Sequence, residues 1–194
     1  MKKYIFFIIA CISVISCSED ELDKTIFIPD ENDQRLPAYT EWGYNSFGAK
    51  YERAYFLARY DIIPCKITYR NNSISFLVSG VYDSSQRMMS LSITFPSERV
   101  EHYSDLLILH QKNIDLSTNC TVKLTINGTE KVINVTSGSL NFKRAQLLKI
   151  DDVVNRVILS GTFEFQFLGT NSFPESFSNG RFDFGITSSE LYSY

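Results

Sequence analysis

Apolar and polar residues alternate with a period of two through most of the chain after residue 41. The segments 73–79, 88–95 and 157–167 carry apolar side chains at almost every second position, mostly with polar residues between them. Because successive side chains of a β-strand point to opposite faces, this pattern predicts strands with one buried and one solvated face. Residues 97–110 are less regular and predict one helical turn followed by a strand at 106–109. No segment between residues 41 and 194 has convincing helical periodicity, so the pattern predicts an all-β fold.

Turn residues divide this pattern into short units. Asn127-Gly128 stands between two alternating runs and predicts a tight hairpin, and Ser137-Gly138 and Asp151-Asp152 predict further turns. Gly161 interrupts a long apolar series, which predicts a bulge or bend within a strand. About eight to ten antiparallel strands, mostly joined to their neighbours, predict a single β-sandwich or a flattened lipocalin-like barrel. The pattern does not separate these two architectures.

The first sixteen residues have the features of a signal peptide. Lys2 and Lys3 precede an apolar run over residues 4–15, which is too short to span a membrane. The junction Val14-Ile15-Ser16-Cys17 resembles the lipobox of bacterial lipoproteins. The resemblance implies cleavage before Cys17, a diacylglycerol on its sulfur and acylation of its new amine. The alternative is an ordinary secretory signal that leaves Cys17 as a free thiol.

An acidic stretch follows the cysteine. Ser18, Glu19, Asp20 and Glu21 look like the export signal of Bacteroidetes-type surface lipoproteins, which implies display on the outer face of the outer membrane. The alternative is a solvated acidic tether on a lipoprotein that faces the periplasm. Residues 17–40 are therefore predicted to form a flexible acidic tether, within which residues 25–28 have the pattern of a short docking strand. Residues 41–194 are predicted to form one all-β domain.

Charge and cysteine content limit the partners and the covalent framework. Without Lys2 and Lys3 the mature chain has 17 basic and 22 acidic residues, a net charge of −5, and no basic patch that would suit a nucleic acid. Cys65 and Cys120 both fall at apolar positions of predicted strands. The compartment permits a disulfide between them, and two buried free thiols are the alternative.

Four short motifs resemble a family of uncharacterised Bacteroidetes lipoproteins. They are NSFGA at 45–49, TSGSL at 136–140, SGTFEF at 160–165 and NGRFD at 179–183. The family shares an N-T-F-G-A opening and an S-G-T-F-x-F … N-G-R-F-D close, and this chain departs from it with Ser46 in place of threonine. The resemblance implies an all-β fold at the cell envelope and transfers no catalytic residue.

No motif in the chain predicts catalysis, a metal centre or a cofactor. The two histidines, His102 and His110, stand apart from any cysteine or carboxylate cluster, and no nucleophile elbow or phosphate-binding loop occurs.

Two sets of residues are candidate ligand contacts. Trp42, Tyr51 and Tyr55 suggest an aromatic platform on which a sugar stacks, with core packing as the alternative. Arg181 and Asp183 share the outward face of a late strand and suggest a polar contact, with a cross-strand ion pair as the alternative.

The sequence thus favours a lipid-anchored outer-membrane protein, exposed at the cell surface, that acts as a non-catalytic binding or adhesion module. Its expected partners are the membrane, through Cys17, and a glycan or a surface protein. The alternative is a lipocalin-like carrier or sensor of a small apolar ligand. A cavity among Phe163, Phe165, Phe182 and Phe184 would favour that carrier.

Overall fold

The computed structural model describes residues 24–59, 64–82, 87–169 and 172–193. Cys17 and the acidic residues Ser18 to Glu21 lie outside these ranges, so the anchor and export signal stay predictions. The described residues contain one 3₁₀ helix, Tyr103–Leu109. They also form twelve strands, which are β1 Ser46–Tyr51, β2 Ala54–Leu57, β3 Cys65–Arg70, β4 Ser73–Tyr82, β5 Arg87–Pro96, β6 Lys112–Asp115, β7 Thr121–Ile126, β8 Thr129–Ile133, β9 Val135–Ile150, β10 Val153–Leu168, β11 Pro174–Ile186 and β12 Leu191–Ser193.

The strands form one curled sheet, which confirms the predicted all-β, antiparallel class. Its order is β6-β9-β10-β11-β1-β2-β4-β5-β7-β8, with β3 beside β4. The short β12 pairs with β3 in parallel and is the exception to the antiparallel pattern among the described strands. The sheet curls into a half-barrel, so the architecture lies between the sandwich and the barrel that the pattern left open. The strand count exceeds the predicted eight to ten because β2, β6 and β12 are too short to show alternation.

Aromatic rings from the two halves of the curled sheet meet in the interior. The Phe76 ring on β4 lies 5.6 Å from that of Phe142 on β9 and 5.1 Å from that of Phe182 on β11, measured between centroids. Phe182 in turn stacks on Phe184 at 5.6 Å, and Phe163 stacks on Phe47 at 5.8 Å. Burial of these rings supplies the main apolar stabilisation of the fold.

The predicted hairpin at Asn127-Gly128 and the predicted turn at Asp151-Asp152 are confirmed with their turn chemistry. Ile126 pairs with Thr129 across Asn127 and Gly128, whose φ angles of 50° and 81° are those that a two-residue hairpin turn needs. The turn from β9 to β10 uses Asp151 and Asp152, with φ of 51° and 62°. Aspartate and asparagine tolerate this left-handed region better than most residues.

Gly161 marks a bulge, as predicted. The register between β9 and β10 shifts between Ser160 and Gly161. A Cβ atom on Gly161 would lie 2.1 Å from the carbonyl oxygen of Asn141 and 2.6 Å from the Phe182 ring, so the site has no room for a side chain.

Two local predictions were wrong. Ser137-Gly138 is not a turn, because β9 runs through it. Gly138 has a φ of 127°, and a Cβ there would lie 2.3 Å from the carbonyl oxygen of Glu164. Residues 106–109 are not a strand but belong to the 3₁₀ helix, where Leu106 and Leu109 are buried three residues apart.

The chain before β1 is docked on the sheet over residues 26–45, which we call the strap. The backbone N–H of Ile26 donates to the carbonyl of Tyr44 at 2.8 Å, and that of Ala38 donates to Ile28 at 2.6 Å. Leu36 is fully buried. The flexible tether predicted over residues 17–40 therefore does not extend through the strap, because its apolar and acidic side chains find partners on the folded body.

Candidate functional site

Asp183 holds the strap on the outer face of the sheet. Its carboxylate is only 1% exposed. It accepts hydrogen bonds from the Thr40 hydroxyl at 2.6 Å and from the backbone N–H groups of Trp42 at 3.0 Å, Gly43 at 2.8 Å and Tyr44 at 3.3 Å. A buried carboxylate is tolerated because these donors replace its lost hydration. Asp183 was a candidate ligand contact in the sequence. Its carboxylate oxygens are instead hydrogen-bonded to the strap.

Arg181 is also engaged by the strap. It lies opposite Thr162, but its guanidinium pairs with the carboxylate of Asp30, and both side chains are largely covered. Hydrogen bonds from the backbone of Asn32 and from Arg181 lower the pKa of Asp30. The cross-strand ion pair that the sequence suggested is replaced by this contact.

A second strap carboxylate, Asp33, lies against the β1–β2 hairpin. The Lys50 ammonium approaches it to 2.7 Å, and the Tyr55 hydroxyl donates to it at 2.7 Å. These two hydrogen bonds, that of Lys50 first, hold the pKa of Asp33 well below its usual value. Asp30 and Asp33, which fall within the predicted tether, therefore both have partners on the sheet.

The three aromatic candidates do not form one platform. Tyr51 is buried, with its ring stacked on Phe177 at 4.7 Å, which is the core-packing alternative. Tyr55 faces the strap, where the guanidinium of Arg35 lies 4.2 Å from its ring centroid. Trp42 is 70% exposed and is the member of the set that remains open to solvent.

Cys65 and Cys120 are both free thiols in the structure. Cys65 is fully enclosed, and burial raises the pKa of its thiol well above the usual value. The half-buried Cys120 thiol donates to the carbonyl of Asp115 at 3.3 Å, and burial raises its pKa as well. The structure therefore agrees with the second alternative, two unpaired thiols, although Cys120 is less buried than predicted.

The two histidines lie at positions where they contact the backbone or flank the 3₁₀ helix. His110 Nδ1 accepts a hydrogen bond from the backbone of Ala145 at 3.1 Å, and His102 precedes the 3₁₀ helix. Within residues 24–59, 64–82, 87–169 and 172–193, no three histidine, cysteine or carboxylate side chains are grouped so as to hold a metal ion.

An open polar trough lies beside the strap, on the outer face of β9, β10 and β11. It consists of two adjoining clefts of about 350 and 280 Å³ that share Glu164. Its polar lining comes from Ser137, Ser139, Asn141, Thr162, Glu164, Gln166, Ser176, Ser178, Asn179 and Arg181.

Strand register builds this lining in rows across the sheet. One row runs from Asn141 through Thr162 to Arg181, and the next pairs Ser139 with Glu164. Neighbouring members of a row are about 4.8 Å apart, the distance between paired strands. The register of β11 against β10 shifts between Phe163 and Phe165, where Asn179 adopts a φ of 52°.

Four polar side chains of the trough are available to a ligand. Within the described part of the chain, the side chains of Ser139, Asn141, Thr162 and Glu164 make no hydrogen bond to the protein. The preceding outward row is different, because the strap covers Ser160 completely. The trough thus begins beside the row that residues 39–44 of the strap cover.

Tyr39 of the strap forms the wall at this boundary. Its hydroxyl donates to Glu41 at 2.8 Å and lies 3.3 Å from the hydroxyl oxygen of Ser160. Desolvation, together with the nearby carboxylate, raises the pKa of Tyr39 to about 12, so the hydroxyl keeps its proton at neutral pH. Sequence reasoning missed this site. The period-two pattern identifies which polar side chains face outward, but it does not identify which of them lie beside one another in the sheet.

A second, less polar cleft of about 210 Å³ lies between the β7–β8 hairpin and strands β1, β10 and β11. Its wall includes Leu124, Ile126, Ile133 and Phe167. Glu175 provides a carboxylate, which accepts a hydrogen bond from the Tyr51 hydroxyl.

Fold and site together define a curled, antiparallel all-β protein with a strapped outer face and a polar trough beside the strap. No family model, no curated protein and no solved structure matches the chain. In the described residues, no helix is long and apolar enough to cross a membrane.

Proposed function

We propose that this protein is a lipid-anchored, surface-exposed outer-membrane protein that acts as a non-catalytic binding module, with the polar trough as its recognition surface. The observation that carries the proposal is the set of trough side chains that have no hydrogen-bond partner of their own in the described chain. Polar side chains with free donors and acceptors, converging on a concave surface, are the usual basis of specificity in a binding site.

In this proposal, the docked strap keeps the recognition surface close to the lipid on Cys17. Only the eight residues 18–25 separate Cys17 from Ile26, where the strap begins. Eight residues span at most about 29 Å. A module held this close to the lipid suits capture of molecules at the cell surface better than long-range adhesion.

The carrier alternative is favoured by the smaller cleft beside the β7–β8 hairpin, whose wall is largely apolar. Its volume of about 210 Å³ limits it to a small ligand. A cavity among Phe163, Phe165, Phe182 and Phe184 would have favoured the carrier. Packed rings occupy this region instead, as between Phe182 and Phe184. The trough therefore ranks above this cleft as the functional surface.

Labelled-palmitate incorporation in cells tests the anchor. Wild type and Cys11→Ala, which changes a cysteine within the predicted signal peptide, are expected to take up label, whereas Cys17→Ala is not. Label that persists in Cys17→Ala would refute the lipid anchor.

Protease treatment of intact cells tests the display. Loss of the lipidated protein while a periplasmic marker stays intact is the expected result. Resistance of the lipidated protein would instead place the module on the periplasmic side.

A further inference from the structure

We propose that the trough binds a neutral oligosaccharide. This inference rests on the proposed function as a binding module and adds the chemical class of the ligand. It is carried by the hydrogen-bonding groups of the trough, by its charge and by its lack of exposed apolar side chains.

The hydrogen-bonding groups suit sugar hydroxyls, each of which both donates and accepts. Asn141 offers an amide with two donors and an acceptor, Ser139 and Thr162 offer hydroxyls, and Glu164 offers a carboxylate that only accepts. Strand register spaces these groups regularly along two rows. A ligand with hydroxyls around a ring can satisfy several of them at once.

The charge of the trough favours a neutral ligand. Arg181 is already paired with Asp30, whereas Glu164 is exposed and has no ion-pair partner among the described residues. Among the residues that line the trough, the uncompensated charge is therefore negative. Sugars that carry carboxylate or sulfate groups would be repelled by it.

The absence of exposed apolar side chains in the trough argues against a protein partner. Among the described residues, the large apolar side chains with the greatest exposure, which include Trp42, Val132 and Phe173, do not line it. The buried centre of a protein–protein interface is enriched in aromatic and other apolar residues. A surface built from hydroxyl, amide and carboxylate groups lacks that centre.

Tyr39 adds an aromatic wall to the trough. Its hydroxyl is fixed by Glu41 and Ser160, and the Lys143 ammonium lies 4.8 Å from its ring centroid. A ring held in one orientation can contact the apolar C–H face of a sugar at little cost in side-chain entropy.

Native affinity electrophoresis of the full-length lipidated protein tests the proposal. The gels contain starch, xylan, arabinan or galactomannan as neutral probes and polygalacturonate or chondroitin sulfate as acidic probes. A polyoxyethylene detergent is used because it carries no sugar. We expect at least one neutral polysaccharide, and neither acidic one, to retard the wild-type protein.

The trough variants Asn141→Ala, Thr162→Ala and Glu164→Ala are compared in the same gels. Each should weaken the apparent affinity about fivefold to tenfold, the usual effect of losing one hydrogen bond. The matched control is the double variant Ser79→Ala with Ser90→Ala, a cross-strand pair of small polar residues on β4 and β5. It should bind like wild type.

The proposal fails if no neutral probe retards the protein, if only acidic probes do, or if all three trough variants bind like the control. Retardation that is lost in Trp42→Ala but kept in the trough variants would preserve the binding module and overturn the assignment of the trough. Loss of surface display in cells would overturn the proposed location without changing the outcome in these gels.

Discussion

Replacing Asp183 with alanine removes the acceptor that fixes the strap to the sheet. Four donors of the strap lose their partner, and three of them are backbone N–H groups. The alternatives are buried donors without acceptors or detachment of the strap, and both cost free energy. The change therefore tests whether the strap is part of the folded body.

The expected loss follows from the number and kind of these bonds. A hydrogen bond to a charged group contributes about 1.5–3 kcal/mol, but the four share one carboxylate and are not additive. Detachment of the strap also limits the loss, because water then satisfies the freed N–H groups. We expect Asp183→Ala to lower the free energy of unfolding by about 3–4 kcal/mol. For a domain of this size, that corresponds to a decrease in Tm of roughly 6–16 °C.

Urea and thermal denaturation, followed by circular dichroism, measure this loss, and limited proteolysis locates it. Asp183→Asn keeps one acceptor oxygen and should fall between wild type and Asp183→Ala. The control Glu164→Ala removes an exposed carboxylate from the same sheet face and should change stability by less than about 0.5 kcal/mol. If Asp183→Ala matched this control, and proteases did not cleave the strap sooner, the carboxylate would not be what holds the strap.

Three further changes test other parts of the structure. Gly161→Ala should lower the free energy of unfolding, measured by urea denaturation, by about 2–4 kcal/mol, because a Cβ would meet backbone and a phenyl ring. Gly128→Ala, with open space around it, should lower it by only about 1–2 kcal/mol. Equal losses would contradict the close approach at Gly161. Because the pKa of Asp33 is lowered in the folded state, its contribution to stability is present above about pH 4 and decreases as the pH falls further. Asp33→Asn should therefore show a smaller drop in Tm between about pH 6 and about pH 3 than wild type, and an unchanged drop would count against the ion pair. Thiol titration of the lipidated chain should find two reactive thiols in guanidinium, with Cys120 reacting before the enclosed Cys65 under native conditions; a wild-type chain without reactive thiols would instead indicate a disulfide.

Local features of the sequence predicted the local features of the fold. The hairpin at Asn127-Gly128 and the bulge at Gly161 follow from backbone conformations or side-chain space within a few residues, and both were found. Gly138 was misread as part of a turn. A glycine that is needed because a paired strand approaches closely looks the same in the sequence as a glycine that is needed in a turn. The 3₁₀ helix was misread in part because Leu106 and Leu109 fit more than one period in so short a segment.

The site could not be predicted because it depends on contacts between distant residues. Asp30 and Arg181 are 151 positions apart, and Asp183 is 140 positions from Gly43. No local pattern distinguishes an acidic side chain that has such a partner from one that is solvated. The pairing of Asn141 with Thr162 likewise requires the register of β9 against β10, which shifts at three positions along the two strands.

The strap explains why one part of the outer face is buried and the adjoining part is open. The sequence pattern does not distinguish among the outward polar side chains of β10 and β11. In the structure, however, Ser160 and Asp183 are covered, whereas Thr162 and Glu164 are not. The difference is the path of residues 39–44, which contact Ser160 and Asp183 but do not extend over Thr162 and Glu164. Tyr39, the residue at the boundary, belongs both to the strap and to the wall of the trough. The segment that leads back toward Cys17 therefore shapes the surface that we propose as the binding site, and a perturbation that releases the strap should also change what the trough binds.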